Sequence, residues 1–73
     1  MFMSNYKRLR ELREDNDKTQ QNIADVLSIT RPQYQLYESG KRDLPIDLLK
    51  ELCTFYNVSA DYILELTDNT AIL

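Results

Sequence analysis

The chain has 73 residues, 42% of them hydrophobic, and a net charge of −3, which suits one small globular domain. It has one cysteine and no histidine, which excludes an internal disulfide, a thiolate zinc site and any catalytic arrangement that needs an imidazole. No apolar run approaches the roughly 20 residues of a membrane span or forms a signal peptide, so we expect a cytoplasmic protein.

Five short helical patterns follow one another, and no alternating run is long enough for a strand. The first runs from about Ser4, a possible N-cap, to Asp15. Charged side chains separate its apolar residues, which are Tyr6, Leu9 and Leu12. The second, "TQQNIADVL", begins with Thr19 as a cap. Its single apolar face consists of Ile23, Ala24 and Leu27.

The third pattern is "TRPQYQLYESGKR", and its start has two possible descriptions. Thr30 and Gln33 have the spacing of a capping box, with Pro32 tolerated in the first turn. A residue before proline avoids helical angles, however, so Arg31 is an alternative N-cap. Either choice places the start of this helix within one residue.

The third helix is predicted to face the core through two tyrosines. Tyr34 and Tyr37 are three residues apart, which places them on one face. Gly40, the only glycine, stands where a helix commonly ends in a left-handed residue. The pattern therefore predicts a short helix anchored by aromatic side chains and followed by Lys41 and Arg42.

The fourth and fifth patterns complete the all-helical prediction. "PIDLLKELCTFY" has a continuous apolar stripe that includes Cys53, which we interpret as a small core residue. "SADYILEL" begins at Ser59, a favourable N-cap. The residues that we expect to face inward are Ala60, Ile63 and Leu64. The tail "TDNTAIL" has no period, and its last two residues, Ile72 and Leu73, are candidates to dock on a partner.

Charge is divided unevenly along the chain. Residues 1–42 carry eight cations and six acids, giving +2, whereas residues 43–73 carry one cation and six acids, giving −5. A basic half permits polyanion binding if its cations share a face, and a solvated surface of mixed charge is the alternative. We expect the latter for the first cluster, which comprises Lys7, Arg8, Arg10 and Arg13.

The second and third helices have the spacing of a helix-turn-helix unit, about residues 19–39. Only three residues separate Leu27 from Arg31. Ala24 supplies the small side chain required where the helices cross, and Ile29 an apolar side chain in the turn.

The order and spacing of "TQQNIADVL", "YESGKR" and "YNVSADYIL" resemble the Cro and phage-repressor (xenobiotic-response-element) type of helix-turn-helix domain. One departure is Ser28, at a turn position commonly held by glycine.

The resemblance covers the chain from about Tyr6 to Asp68 and implies a compact five-helix bundle similar to the lambda-repressor DNA-binding domain. We take residues 1–73 as this single domain. The resemblance also implies a bacterial or phage transcription regulator, with a repressor favoured, that reads the major groove with its third helix. It further implies a homodimer on a two-fold operator, and we take residues 59–73 as the possible dimerisation segment. We expect no enzymatic activity, metal, cofactor or small-molecule ligand, and no membrane association. The alternative function is a protein-binding module of the same fold, such as an antitoxin or a regulator that sequesters another protein.

Site residues carry over from the resemblance position by position. The side chains expected to approach bases are Arg31, Pro32, Gln33, Gln35 and Leu36. Those expected at phosphates are Gln20, Gln21, Thr30, Lys41 and Arg42. Proline and leucine offer a base only apolar contact, whereas arginine pairs with guanine and glutamine with adenine.

Each of these roles has a simpler alternative. Gln20, Gln35 and Leu36 could be ordinary surface residues, and Arg31 could pair with a carboxylate. Gln33 is divided between helix capping and base contact. The two cations after the third helix could complement only its C-terminal dipole.

Overall fold

The computed structural model describes residues 6–71, and within this range it contains five α-helices and no strand. The helices are α1 Lys7–Asp15, α2 Gln20–Leu27, α3 Arg31–Glu38, α4 Ile46–Tyr56 and α5 Ala60–Ile63. The predicted all-α class and the number of helices are confirmed. α1 begins after Tyr6, and Ser4, the residue proposed as its cap, lies outside the described residues, as do Ile72 and Leu73.

The core is formed where all five helices meet. The residues that are fully enclosed and largest are Tyr34, Leu9, Ile23, Leu52 and Ile63. Ala24 and Tyr37 are also buried, as the helix-turn-helix prediction requires, and Ile29 packs against this core half-buried. The buried tyrosines of α3 thus anchor the helix-turn-helix unit in this core.

Side-chain caps set the starts of three helices. The hydroxyl oxygens of Thr19, Thr30 and Ser59 each accept a hydrogen bond from a backbone N–H three residues later. The box on Thr19 is complete, because the Asn22 side chain accepts from the Thr19 N–H at 2.9 Å. These starts were predicted from the sequence, although the reciprocal role of Asn22 was not.

The fifth helix is shorter than predicted, and one of its inward assignments is wrong. α5 ends at Ile63 because Glu65 takes a left-handed conformation with φ of 63°. The backbone N–H groups of Glu65 and Leu66 then donate to Tyr62 and Asp61, which closes the helix. Leu64 is consequently 39% exposed rather than facing inward.

Two arginines of the first cluster are not solvated, which corrects the expectation for Arg8 and Arg13. The Arg8 guanidinium donates to the Tyr62 and Thr67 carbonyls at 2.9 and 2.6 Å, and to the Asp68 carboxylate at 2.6 Å. It also lies 4.2 Å from the centre of the Tyr62 ring. Arg8 therefore fastens the segment after α5 to α1.

Ser28 ends α2 in the left-handed conformation, with φ of 59°. We expect Ser28→Gly to raise the free energy of unfolding by up to about 1 kcal/mol, because glycine has no Cβ clash there. Ser39→Gly is the matched control, since Ser39 follows α3 with φ of −81° and should lose stability. Urea unfolding monitored by circular dichroism measures both, and equal changes in the two variants would contradict the strain at Ser28.

Candidate nucleic-acid interface

The candidate site is the outer surface of the α2–α3 unit. Thr30 is the N-cap of α3, with its hydroxyl oxygen 3.2 Å from the Gln33 backbone nitrogen. Arg31 is thus the first helical residue and Pro32 the second, which decides between the two predicted starts. The reciprocal half of the predicted capping box does not form, and the Gln33 side-chain nitrogen donates to the Tyr37 hydroxyl at 3.4 Å.

The predicted base-contacting residues all lie on α3, but they differ in exposure. Arg31, Pro32 and Gln35 are exposed, whereas Gln33 and Leu36 are half-buried. Because Tyr34 and Tyr37 bury the opposite face, the helix cannot turn its outer residues inward without exposing two core aromatics. The unit therefore presents arginine and glutamine donors on a fixed surface.

The predicted phosphate-contacting residues border this surface. Gln21, Thr30, Lys41 and Arg42 are exposed, and Gln20 is half-buried. Lys41 and Arg42 follow Gly40, whose φ of 78° ends α3, and their backbone N–H groups both donate to the Leu36 carbonyl. Gln21 is engaged locally, since its amide donates to the Asp25 carboxylate at 2.8 Å.

The structure brings α1 to the same site, which the sequence did not indicate. Gln20 and Gln35 border a small recess together with Arg10 of α1 and Glu38. Arg10 is exposed there and pairs with Glu14 at 3.1 Å. The candidate site thus borders Arg10, a cation that the sequence placed only in a solvated cluster.

Behind this recess lies an ion pair between α1 and α3. The Arg13 guanidinium donates to both oxygens of the Glu38 carboxylate, at 2.9 and 3.0 Å, and to the Lys18 carbonyl at 3.0 Å. The Arg13 and Glu38 side chains are only 13% and 7% exposed. No local sequence pattern could have revealed the pair, because the two residues are 25 positions apart.

The pair determines the ionisation state of Glu38. Burial alone raises the pKa of this carboxyl, but hydrogen bonds from Arg13 and other neighbours outweigh it and hold the pKa below the usual 4.5. The same hydrogen bonds raise the pKa of Arg13. Nearby, the enclosed Tyr34 hydroxyl lies close to the Glu38 carboxylate. Burial and the Glu38 carboxylate raise its pKa. Glu38 is therefore a buried anion at neutral pH.

A separate apolar groove of about 690 Å³ lies between α4 and the segments around α5. Its walls include Ile46, Cys53, Ala60 and Ala71. None of the ten residues predicted to contact DNA lines it. Burial raises the pKa of the Cys53 thiol, which keeps it protonated at neutral pH.

Comparisons with known proteins assign this arrangement to a family. The helix-turn-helix family model matches residues 9–63, which include all five helices except the first two residues of α1. The chain belongs to the helix-turn-helix family. The resemblance to the Cro and phage-repressor type of helix-turn-helix domain, predicted from the sequence, is confirmed. No solved structure matches the chain significantly.

The relatives of this helix-turn-helix chain include three Bacillus subtilis proteins. It is 40% identical over 63 residues to the uncharacterized HTH-type transcriptional regulator YobD, which covers 86% of this chain and 56% of the relative. It is 42% identical over 65 residues to the uncharacterized HTH-type transcriptional regulator YqaE, covering 89% and 53%. It is 42% identical over 62 residues to the HTH-type transcriptional regulator ImmR, covering 85% and 49%. The chain thus spans about half the length of the curated relatives it matches.

No helix among residues 6–71 is long and apolar enough to cross a lipid bilayer.

Proposed function

We propose that this helix-turn-helix chain binds double-stranded DNA sequence-specifically as one domain and represses transcription in the cytoplasm. The observation that carries the proposal is the fixed exposure of Arg31 and Gln35 on α3, opposite the buried Tyr34 and Tyr37. An α-helix with its side chains is about 10–12 Å in diameter, which fits the roughly 12 Å width of the major groove. The outer side chains of α3 are donors that suit guanine and adenine edges.

The flanking groups suit the phosphate backbone on either side of the groove. α2 begins at Gln20, where first-turn N–H groups have no intrahelical acceptor and the helix dipole is positive. Lys41 and Arg42 lie beyond the other end of α3, exposed and adjacent to its terminus. This arrangement supports contacts to phosphates on both sides of the reading helix.

A homodimer would combine the few cations of each chain on one operator. The molecule measures about 31 × 31 × 21 Å, so a single copy cannot occupy two major grooves about 34 Å apart. Residues 59–73 are the proposed interface. In this segment Leu66 is 73% exposed, and Ala60 and Ala71 line the apolar groove. Burying this surface against a second copy would remove apolar area from water.

Salt dependence tests the proposal directly. We expect log K for DNA to fall with log salt by about 0.9 for each phosphate neutralised by a cation. Lys41→Ala/Arg42→Ala should reduce the slope by about 1.8 per chain, whereas Lys50→Ala, on α4, should leave it unchanged. Fluorescence anisotropy with labelled duplexes measures both. Absence of DNA binding at low salt, including to the chain's own promoter region, would favour the protein-binding alternative.

A further inference from the structure

A line of hydrogen bonds connects the buried ion pair to the first residue of the reading helix. Arg13 holds Glu38 through two hydrogen bonds, and the Gln20 amide nitrogen donates to the same carboxylate at 3.2 Å. On its other side, the Gln20 carbonyl oxygen accepts from the Arg31 guanidinium at 3.4 Å. Four side chains from α1, α2 and α3 are thus joined from the interior to the surface.

The carboxylate determines which end of the Gln20 amide faces outward. An ionised carboxylate accepts hydrogen bonds and donates none, so only the NH₂ end of Gln20 can face Glu38 favourably. Rotating the amide by 180° would place its carbonyl oxygen against a buried negative charge. The carbonyl oxygen of Gln20 is therefore fixed toward α3, where a cation or an N–H donor is the complementary neighbour.

We infer that Glu38, acting through Gln20, is a positioning residue that holds the Arg31 guanidinium ready for a base contact at the start of α3. This inference rests on the proposed DNA-binding function. A long, exposed arginine has many rotamers, and ordering it before DNA arrives lowers the entropic cost of the contact. Gln20 then contributes to base discrimination as well as to any phosphate contact of its own.

The decisive variant is Gln20→Met, which keeps the length of the side chain and removes both hydrogen bonds. Its control is Val26→Met on the same helix, since Val26 is exposed and belongs neither to this network nor to the residues expected at DNA. We expect Gln20→Met to lower the ratio of specific to non-specific DNA affinity by about tenfold. In an Arg31→Ala background the same change should leave the ratio unaltered, because no guanidinium remains to be positioned.

These outcomes separate positioning from phosphate binding or folding. A phosphate contact alone would lower specific and non-specific affinity equally, and a folding defect would shift the thermal midpoint of the free protein. A ratio that is unchanged in Gln20→Met, or reduced equally with and without Arg31, would overturn the inference.

A measurement without DNA distinguishes this inference from the proposed function. In the free protein, Gln20→Met should shift the resonance of the Arg31 terminal guanidinium N–H groups, which donate to Gln20, in a ¹⁵N-correlated NMR spectrum, and Val26→Met should not. Loss of wild-type DNA binding with this shift present would refute the function while retaining the positioning. An Arg31 resonance indifferent to both substitutions would refute the positioning itself.

Discussion

Replacing Arg13 by methionine is expected to lower the free energy of unfolding by about 3 kcal/mol. The loss is large because the Glu38 carboxylate, 7% exposed, would remain charged and buried without its cation. For a domain of this size that is a large part of the total stability. Urea unfolding at pH 7, followed by circular dichroism, measures the change.

Arg10→Met is the matched control on the same helix. Arg10 pairs with Glu14, but these side chains are 67% and 53% exposed, so its loss should cost less than about 1 kcal/mol. The double variant Arg13→Met/Glu38→Leu should recover most of the lost stability, since an apolar pair leaves no uncompensated charge. If Arg13→Met and Arg10→Met lowered the free energy of unfolding equally, the buried Arg13–Glu38 pair would not be a major source of stability.

The effect of Arg13→Met should depend on pH in a defined direction. The pKa of the Glu38 carboxyl in the folded wild type is below 4.5. The ionised carboxylate therefore contributes to the free energy of unfolding above pH 4.5, and this contribution is lost as pH falls through the lowered pKa. In the variant, burial is no longer offset by the arginine, so Glu38 takes up a proton more readily. The difference in stability should therefore narrow in acid, and a difference independent of pH would assign the loss to packing.

Removing the exposed leucines after α5 is expected to weaken operator binding by about 100-fold or more. The double variant Leu64→Ser/Leu66→Ser changes side chains that are 39% and 73% exposed, so the fold should persist. If these residues form the dimer interface, the variant binds as separate chains. A chain bound at one half-site then no longer raises the effective concentration of a second chain at the other half-site. Affinity for a full operator and molecular mass by analytical ultracentrifugation measure the effect.

Val26→Ser is the control for this loss, because Val26 is an apolar residue of α2 that is 37% exposed. It should leave both mass and operator affinity unchanged. Dimers that persist in the double leucine variant would place the interface elsewhere, and a wild-type protein that stays monomeric on its operator would contradict the dimer.

Local chemistry explains why most of the fold could be predicted. The starts of α2, α3 and α5 depend on Thr19, Thr30 and Ser59, whose capping bonds span three residues. The buried positions of Tyr34 and Tyr37 follow from helical spacing alone. Such interactions can be predicted from a single sequence because both partners lie within one turn.

Two kinds of feature were missed: contacts between residues distant in sequence, and one local backbone conformation. Arg8 and Arg13 belong to one helix of mixed charge, and only the packing of that helix decides which cations meet a buried partner. The early end of α5 depends on Glu65 taking a left-handed conformation, which has no strong signal in a glutamate. For the candidate site, the sequence therefore predicted the surface of α3 but missed the contacts beneath it.

Selection of bound sequences from a random pool of duplex DNA tests most directly whether α3 reads bases. We expect the wild-type chain to enrich an inverted repeat whose half-site centres are about 34 Å apart along the helix axis. Guanine should be enriched at the positions reached by Arg31, and this preference should disappear from the pool selected by Arg31→Ala. A pool that stays random after repeated rounds, although the protein is folded, would contradict sequence reading by this helix.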